Sequence, residues 1–149
     1  MKITPERQRL IQEKFETNHF PRLLGIEIDS VEEGRAVLSV EVRTELKQLQ
    51  GVMHGGAIAS LIDTAVAFAI VGASEPEDRF TTVEMKVNSL SAIREGRVTA
   101  EARLIRDGRR IIVAECDVFD DKGRLAAKGL LTYIRLNERG SKENDVATR

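Results

Sequence analysis

The chain has 149 residues, of which 42% are hydrophobic and 32% charged, a composition typical of one soluble globular domain with a sizeable core. The formal net charge is −1 and no run of basic residues is present, so a nucleic-acid partner is not expected. One cysteine and two histidines argue against a disulfide framework and a metal site, and the N-terminus lacks the apolar segment of a signal peptide, which favours the cytoplasm.

The N-terminal third of the chain predicts a short helix and a β-hairpin. Thr4 suits a helix N-cap, and Pro5 suits the first helical position. Residues 23–31 are interpreted as a first strand, and residues 35–42 alternate between apolar and polar side chains as a second strand does. A turn that ends in Gly34 is expected to join the two strands.

Residues 51–70 form the one long stretch that is nearly free of charge, and they predict a helix buried on all sides. Gly55 and Gly56 stand at its N-terminus, where free N–H groups and the helix dipole favour an oxygen that develops negative charge. Asp63 lies about two turns further on, and a carboxylate among apolar residues is rarely buried without a partner or a task. The same charge disfavours a membrane-spanning helix.

Four further strands are predicted in the second half of the chain, at residues 80–88, 97–105, 111–119 and 124–136. The Asp107-Gly108 pair is a strong hairpin-turn signal, and strands joined by tight turns pair antiparallel. A helix that is apolar all round needs a sheet curled around it, or a second subunit, to cover its surface. We therefore expect an α+β domain that dimerises.

The alternation in residues 80–88 assigns the side chains of that strand to two faces. Val83 and Met85 fall on an apolar face, and Thr82 and Asn88 fall on the polar one.

The domain is expected to cover residues 1–137, followed by a disordered tail at residues 138–149, which are polar and show no periodicity. Cys116 lies in the middle of a predicted strand, and we interpret it as a small core residue.

The central helix carries a recognisable motif. His54-Gly55-Gly56, followed by Leu61 and Asp63, resembles the signature of hotdog-fold acyl-CoA thioesterases of the phenylacetic-acid-degradation type. The resemblance continues through residues 81–88, 96–104, 106–110 and 120–128, and covers roughly residues 20 to 136. It implies a sheet wrapped around the helix, subunits paired as dimers and often as tetramers, and active sites at the dimer interface.

The resemblance also implies roles for individual residues. Asp63 matches the carboxylate that acts as general base or nucleophile, and the backbone N–H of Gly55 matches the donor to the thioester oxygen. His54 matches the histidine that positions the loop and the leaving-group end. Thr82 falls where related enzymes carry a serine or threonine that helps to orient water. Gln48 stands where an asparagine is common, six residues before the histidine, so it keeps the amide but lengthens its reach.

Coenzyme A carries phosphates, which cations and backbone donors bind. Arg106, Arg109 and Arg110 surround one predicted hairpin tip and are candidates for this contact, with Gly56 and Asn88 as further candidates. No cofactor is expected beyond the coenzyme A of the substrate itself.

Two other functions fit the same fold. A hydratase or dehydratase acting on an acyl thioester also uses the central helix, but such enzymes usually pair a histidine with the acid differently from His54 and Asp63 here. A non-catalytic acyl-CoA sensor normally carries an added DNA-binding segment, and this chain has no basic patch.

Overall fold

The computed structural model describes residues 3–137, so the predicted tail at residues 138–149 lies outside the described part of the chain. The helices are α1 (Pro5–Glu16), α2 (His19–Leu24) and α3 (Gly55–Ala73). The strands are β1 (Glu27–Glu32), β2 (Arg35–Glu41), β3 (Phe80–Ser89), β4 (Arg97–Asp107), β5 (Ile111–Phe119) and β6 (Leu125–Arg135).

The six strands form one antiparallel sheet in the order β1-β2-β4-β5-β6-β3, so β1 and β3 are its edges. Helix α3 contacts all six strands, which confirms the predicted α+β fold with the sheet around a central helix. By length and composition alone α3 could cross a membrane, but it contributes Leu61, Ile62 and Ala65 to the core without exposed surface. Burial of this apolar surface stabilises the domain.

Helix α1 covers one end of α3. The Thr4 hydroxyl accepts the Arg7 N–H at 3.2 Å, so the predicted N-cap is confirmed. Phe15 packs edge-on against Phe68 of α3, with ring centroids 5.4 Å apart. The Arg7 guanidinium donates to the Val71 carbonyl at 3.0 Å, where the last carbonyls of a helix lack intrahelical donors. Helix α1 is therefore attached by apolar contact and by capping of α3.

The predicted start of the first strand was wrong. Leu23 and Leu24 belong to α2, and β1 begins only at Glu27. Pro21 is tolerated because it lies in the first turn of α2, where a backbone N–H has no intrahelical partner. Gly25, with φ of 77°, then ends the helix in the left-handed conformation that glycine adopts without strain.

The predicted faces of β3 were wrong at its start. Thr82 pairs with Tyr133 of β6, whereas Glu84 pairs with Thr132, so the register shifts by one residue at a β-bulge. The shift places Thr82 on the same face as Met85, the face towards α3, although regular alternation assigned it to the opposite one. Val83, at the bulge, is 59% exposed.

Cys116 on β5 has no exposed surface, which confirms its prediction as a core residue. Burial raises the pKa of its thiol to about 12, so the thiol is protonated and unreactive at neutral pH.

Candidate active site

His54 caps the N-terminus of α3. Its backbone is extended, with φ of −65° and ψ of 136°, and its ring Nδ1 accepts the N–H of Gly56 at 2.8 Å. A Cβ on residue 56 would lie 2.9 Å from that Nδ1, so the cap requires glycine there. His54 therefore fixes the geometry of the turn, and the role in the site that the resemblance implies for it stays a prediction. The cap also uses the Gly56 N–H, and the proposed contact of Gly56 with coenzyme A stays a prediction.

Gly55 differs from its neighbour, because its N–H has no hydrogen-bond acceptor within residues 3–137. A Cβ on residue 55 would meet no atom within 4 Å, so the space beside this backbone is open. At the positive end of α3, this N–H is the available donor for a ligand oxygen.

Asp63 lies half-buried in the middle of α3 and accepts two hydroxyl hydrogen bonds on one oxygen. The Thr82 hydroxyl donates to Oδ1 at 2.9 Å, and the Tyr133 hydroxyl lies 2.5 Å from the same atom. The Tyr133 hydroxyl also lies 2.9 Å from the backbone carbonyl of Asp63. No group within residues 3–137 donates to Oδ2, which leaves this oxygen for water or substrate.

The residues next to Asp63 in the sequence indicated apolar surroundings. The structure adds two hydroxyl groups, one from β3 and one from β6. Hydrogen bonds to a carboxylate favour its charged form. Burial, followed by the charge of Asp63 and the bond to it, raises the pKa of Tyr133 well above the ordinary value for tyrosine. The phenol therefore stays protonated and is a permanent donor to Asp63.

Tyr133 was missed by the sequence reasoning. A tyrosine on the core face of a strand is an ordinary core residue, and its contact with Asp63 follows from strand order and register, which the local sequence does not specify.

Gly55 and Asp63 lie far apart on α3. They are eight residues apart, which at 1.5 Å per residue is about 12 Å along the helix axis. A donor N–H and an attacking oxygen must each lie within about 3 Å of the reacting group.

The loop before α3 holds Gln48 in a tight turn. Lys47 bridges to Met53, and the Gln48 side-chain oxygen accepts the backbone N–H of Gln50. The Gln48 side chain is thus engaged within its own loop, so its proposed catalytic role stays a prediction. Leu49, at the tip of the turn, is fully exposed.

The predicted arginine hairpin joins β4 to β5, with exposed Arg106, Arg109 and Arg110 around Gly108. Asn88 pairs with Lys128 of β6, whereas Arg135 of the same strand donates its N–H to the Arg110 carbonyl. Seven residues of strand separate those positions on β6, or about 23 Å. The structure therefore brings the arginines together, but not Asn88 with them.

A buried arginine that the sequence did not single out anchors this hairpin. The Arg135 side chain has no exposed surface and donates to Asp78 at 3.0 Å and to the Ser74 hydroxyl at 3.1 Å. Its guanidinium also forms an ion pair with Asp107, the last residue of β4. Arg135 thus links the hairpin to the C-terminal end of α3.

A six-stranded antiparallel sheet around one long helix that carries a hydrogen-bonded carboxylate is the hotdog fold of thioester hydrolases. Residues 50–127 match the thioesterase superfamily, and the chain belongs to this family. The resemblance noted in the sequence is thereby confirmed, and the protein is a hydrolase of the thioesterase class.

Named relatives agree with this family. The 1,4-dihydroxy-2-naphthoyl-CoA hydrolase of Listeria monocytogenes is 34% identical over 102 residues, which are 68% of this chain and 83% of that protein. The medium/long-chain acyl-CoA thioesterase YigI of Escherichia coli is 29% identical over 143 residues, covering 85% of this chain and 92% of that protein. The E. coli PaaI protein from the phenylacetic acid degradation operon superposes with a TM-score of 0.82 at 22% identity, over 89% of this chain and 94% of that one, and so shows the shared fold.

Proposed function

We propose that the protein hydrolyses an acyl- or aryl-CoA thioester to the free acid and coenzyme A, with Asp63 as general base or nucleophile. The observation that carries the proposal is the Asp63 carboxylate, held on Oδ1 by two hydroxyls and open at Oδ2. The names of the two relatives, a 1,4-dihydroxy-2-naphthoyl-CoA hydrolase and a medium/long-chain acyl-CoA thioesterase, support the substrate class.

The separation of about 12 Å between Gly55 and Asp63 supports a site shared by two protomers. In this arrangement Asp63 of one protomer faces the His54-Gly55 turn of its partner. β3 is an edge strand of the sheet, and Thr82 on this strand contacts Asp63. A second protomer that paired along β3 would therefore lie beside Asp63. A dimer, which could pair again as a tetramer, is then the active unit.

The reaction breaks the C–S bond of the thioester and consumes one water. As a general base, Asp63 takes a proton from water while the water oxygen adds to the carbonyl carbon, and the Gly55 N–H binds the resulting oxyanion. Collapse of this intermediate expels the thiolate, which receives the proton. As a nucleophile, Asp63 instead forms a mixed anhydride that water then cleaves. Neither route uses a further cofactor.

The three hairpin arginines are our candidates for the phosphates of coenzyme A. Their guanidinium groups are exposed on a tip that buried Arg135 anchors, and guanidinium binds phosphate oxygens in a bidentate manner. A cytoplasmic location fits such a substrate and the free, buried Cys116.

The test is release of free thiol from a panel of aromatic and aliphatic CoA thioesters. Asp63→Asn should lower kcat at least about a hundredfold, because the amide can neither accept the proton nor attack. Asp121→Asn, a matched change at an exposed turn, should leave the rate unchanged. No thiol release from any thioester, or full activity in Asp63→Asn, would contradict the proposal.

A further inference from the structure

We propose that Tyr133 is a positioning residue for the reaction, which together with Thr82 holds Oδ1 of Asp63 and assigns Oδ2 as the reacting oxygen. The inference rests on the proposed role of Asp63 and adds to it a residue and an atom.

The Tyr133 hydroxyl contacts Asp63 at two points. It lies 2.5 Å from Oδ1 and 2.9 Å from the backbone carbonyl of the same residue. The contact with the backbone carbonyl keeps the Tyr133 hydroxyl in place. Rotation of the Asp63 side chain about its Cα–Cβ bond would therefore move Oδ1 away from this hydroxyl. The phenol is itself held by Phe80, whose ring meets it edge-on at a centroid distance of 6.0 Å. Tyr133 therefore restricts the carboxylate to one rotamer.

The two oxygens of Asp63 are not equivalent. Oδ1 accepts hydrogen bonds from Thr82 and from Tyr133. These two bonds occupy both lone pairs of this oxygen. Oδ2 has no donor within residues 3–137. The new bond must therefore form at Oδ2, as O–H if Asp63 takes a proton from water and as O–C if it attacks the thioester carbon.

The role can be separated from a merely structural one by pH. Within the described residues, Thr82 on β3 and Tyr133 on β6 are the groups that hydrogen-bond the carboxylate, and Tyr133 alone of the two titrates. The raised pKa of Tyr133 keeps its proton in place throughout the neutral range. Because its hydrogen bond favours the charged carboxylate, its removal should move the acidic limb of the pH–rate profile to higher pH.

The experiment compares Tyr133→Phe with the wild type on one CoA thioester across pH. We expect kcat to fall about tenfold to a hundredfold, the effect of one lost hydrogen bond to a charged group, while KM changes less than about twofold. Thr82→Val should act in the same direction. Thr132→Val, which removes a hydroxyl from the opposite face of the same strand, is the matched control and should change neither quantity.

The outcomes separate the two claims. An unchanged kcat and acidic limb in Tyr133→Phe, with Asp63→Asn inactive, would overturn the inference and leave the proposed function standing. Full activity in Asp63→Asn would overturn both. A fall in kcat without a shift of the acidic limb would also overturn the inference, because it would indicate a structural effect alone.

Discussion

Two adjacent glycines at the start of α3 have different tasks. Gly56 has no side chain because the ring of His54 occupies the space that a Cβ would take. Gly55 has open space beside it and an N–H without an acceptor in the described chain. The sequence predicted a prepared helix N-terminus, but it could not divide the roles, since the division depends on the conformation of the His54 ring.

Gly55→Pro tests the donor with little effect on the helix. Proline is favoured at the first helical position, and the extended backbone of His54 suits a residue before proline. The substitution removes the N–H that we propose binds the oxyanion. The kcat should therefore fall about a hundredfold to a thousandfold, as when an oxyanion donor is lost in other enzymes, while the melting temperature stays close to that of the wild type. Gly55→Ala keeps the N–H and should retain most activity. Equal losses in both variants would indicate steric blockage instead.

At the scale of elements, β6 connects the Asp63 carboxylate to the arginine hairpin. Its core face carries Tyr133, which contacts Asp63, and two residues later Arg135, which anchors the arginine hairpin. A fully buried guanidinium is tolerated because carboxylates and carbonyls surround it. The strand thereby sets the position of the hairpin relative to the carboxylate.

Arg135→Met should lower the free energy of unfolding by about 3–5 kcal/mol, because it leaves the buried carboxylate of Asp78 without its partner. Urea denaturation measures the change. Arg103→Met, on the exposed face of β4, is the control and should cost at most about 1 kcal/mol, since Arg103 is exposed and Glu115 keeps Lys128 as a second partner. Equal costs would show that the Arg135 network contributes no more than a surface pair.

The strands from β4 to β6 were predictable because turns and clean alternation mark them, and their observed bounds agree within two residues. The approach of Thr82 to Asp63 was not predictable from alternation, because a single bulged residue reverses the faces of β3. The Arg135 network was hidden for a related reason. An arginine near the end of a strand normally reaches solvent, and the partners of Arg135 lie 27 to 61 residues away in the sequence.

In the single protomer, one edge of the sheet is unpaired and only partly covered. Met85 faces the helix side of β3 yet is 40% exposed, because β3 is the edge strand and α3 does not cover it fully. A ten-residue edge with exposed apolar side chains favours pairing with another chain. Asp63 lies beside this edge, which supports our proposal that the partner completes the site.

The spacing of Gly55 and Asp63 on α3 has a genetic consequence. If each site takes its carboxylate from one protomer and its N–H from the other, two inactive alleles should complement each other. A dimer of one Asp63→Asn chain and one Gly55→Pro chain contains one doubly altered site and one intact site. Co-expression of the two should therefore restore about a quarter of the wild-type activity when chains pair at random. A mixture as inactive as its components would instead mean that each chain acts alone.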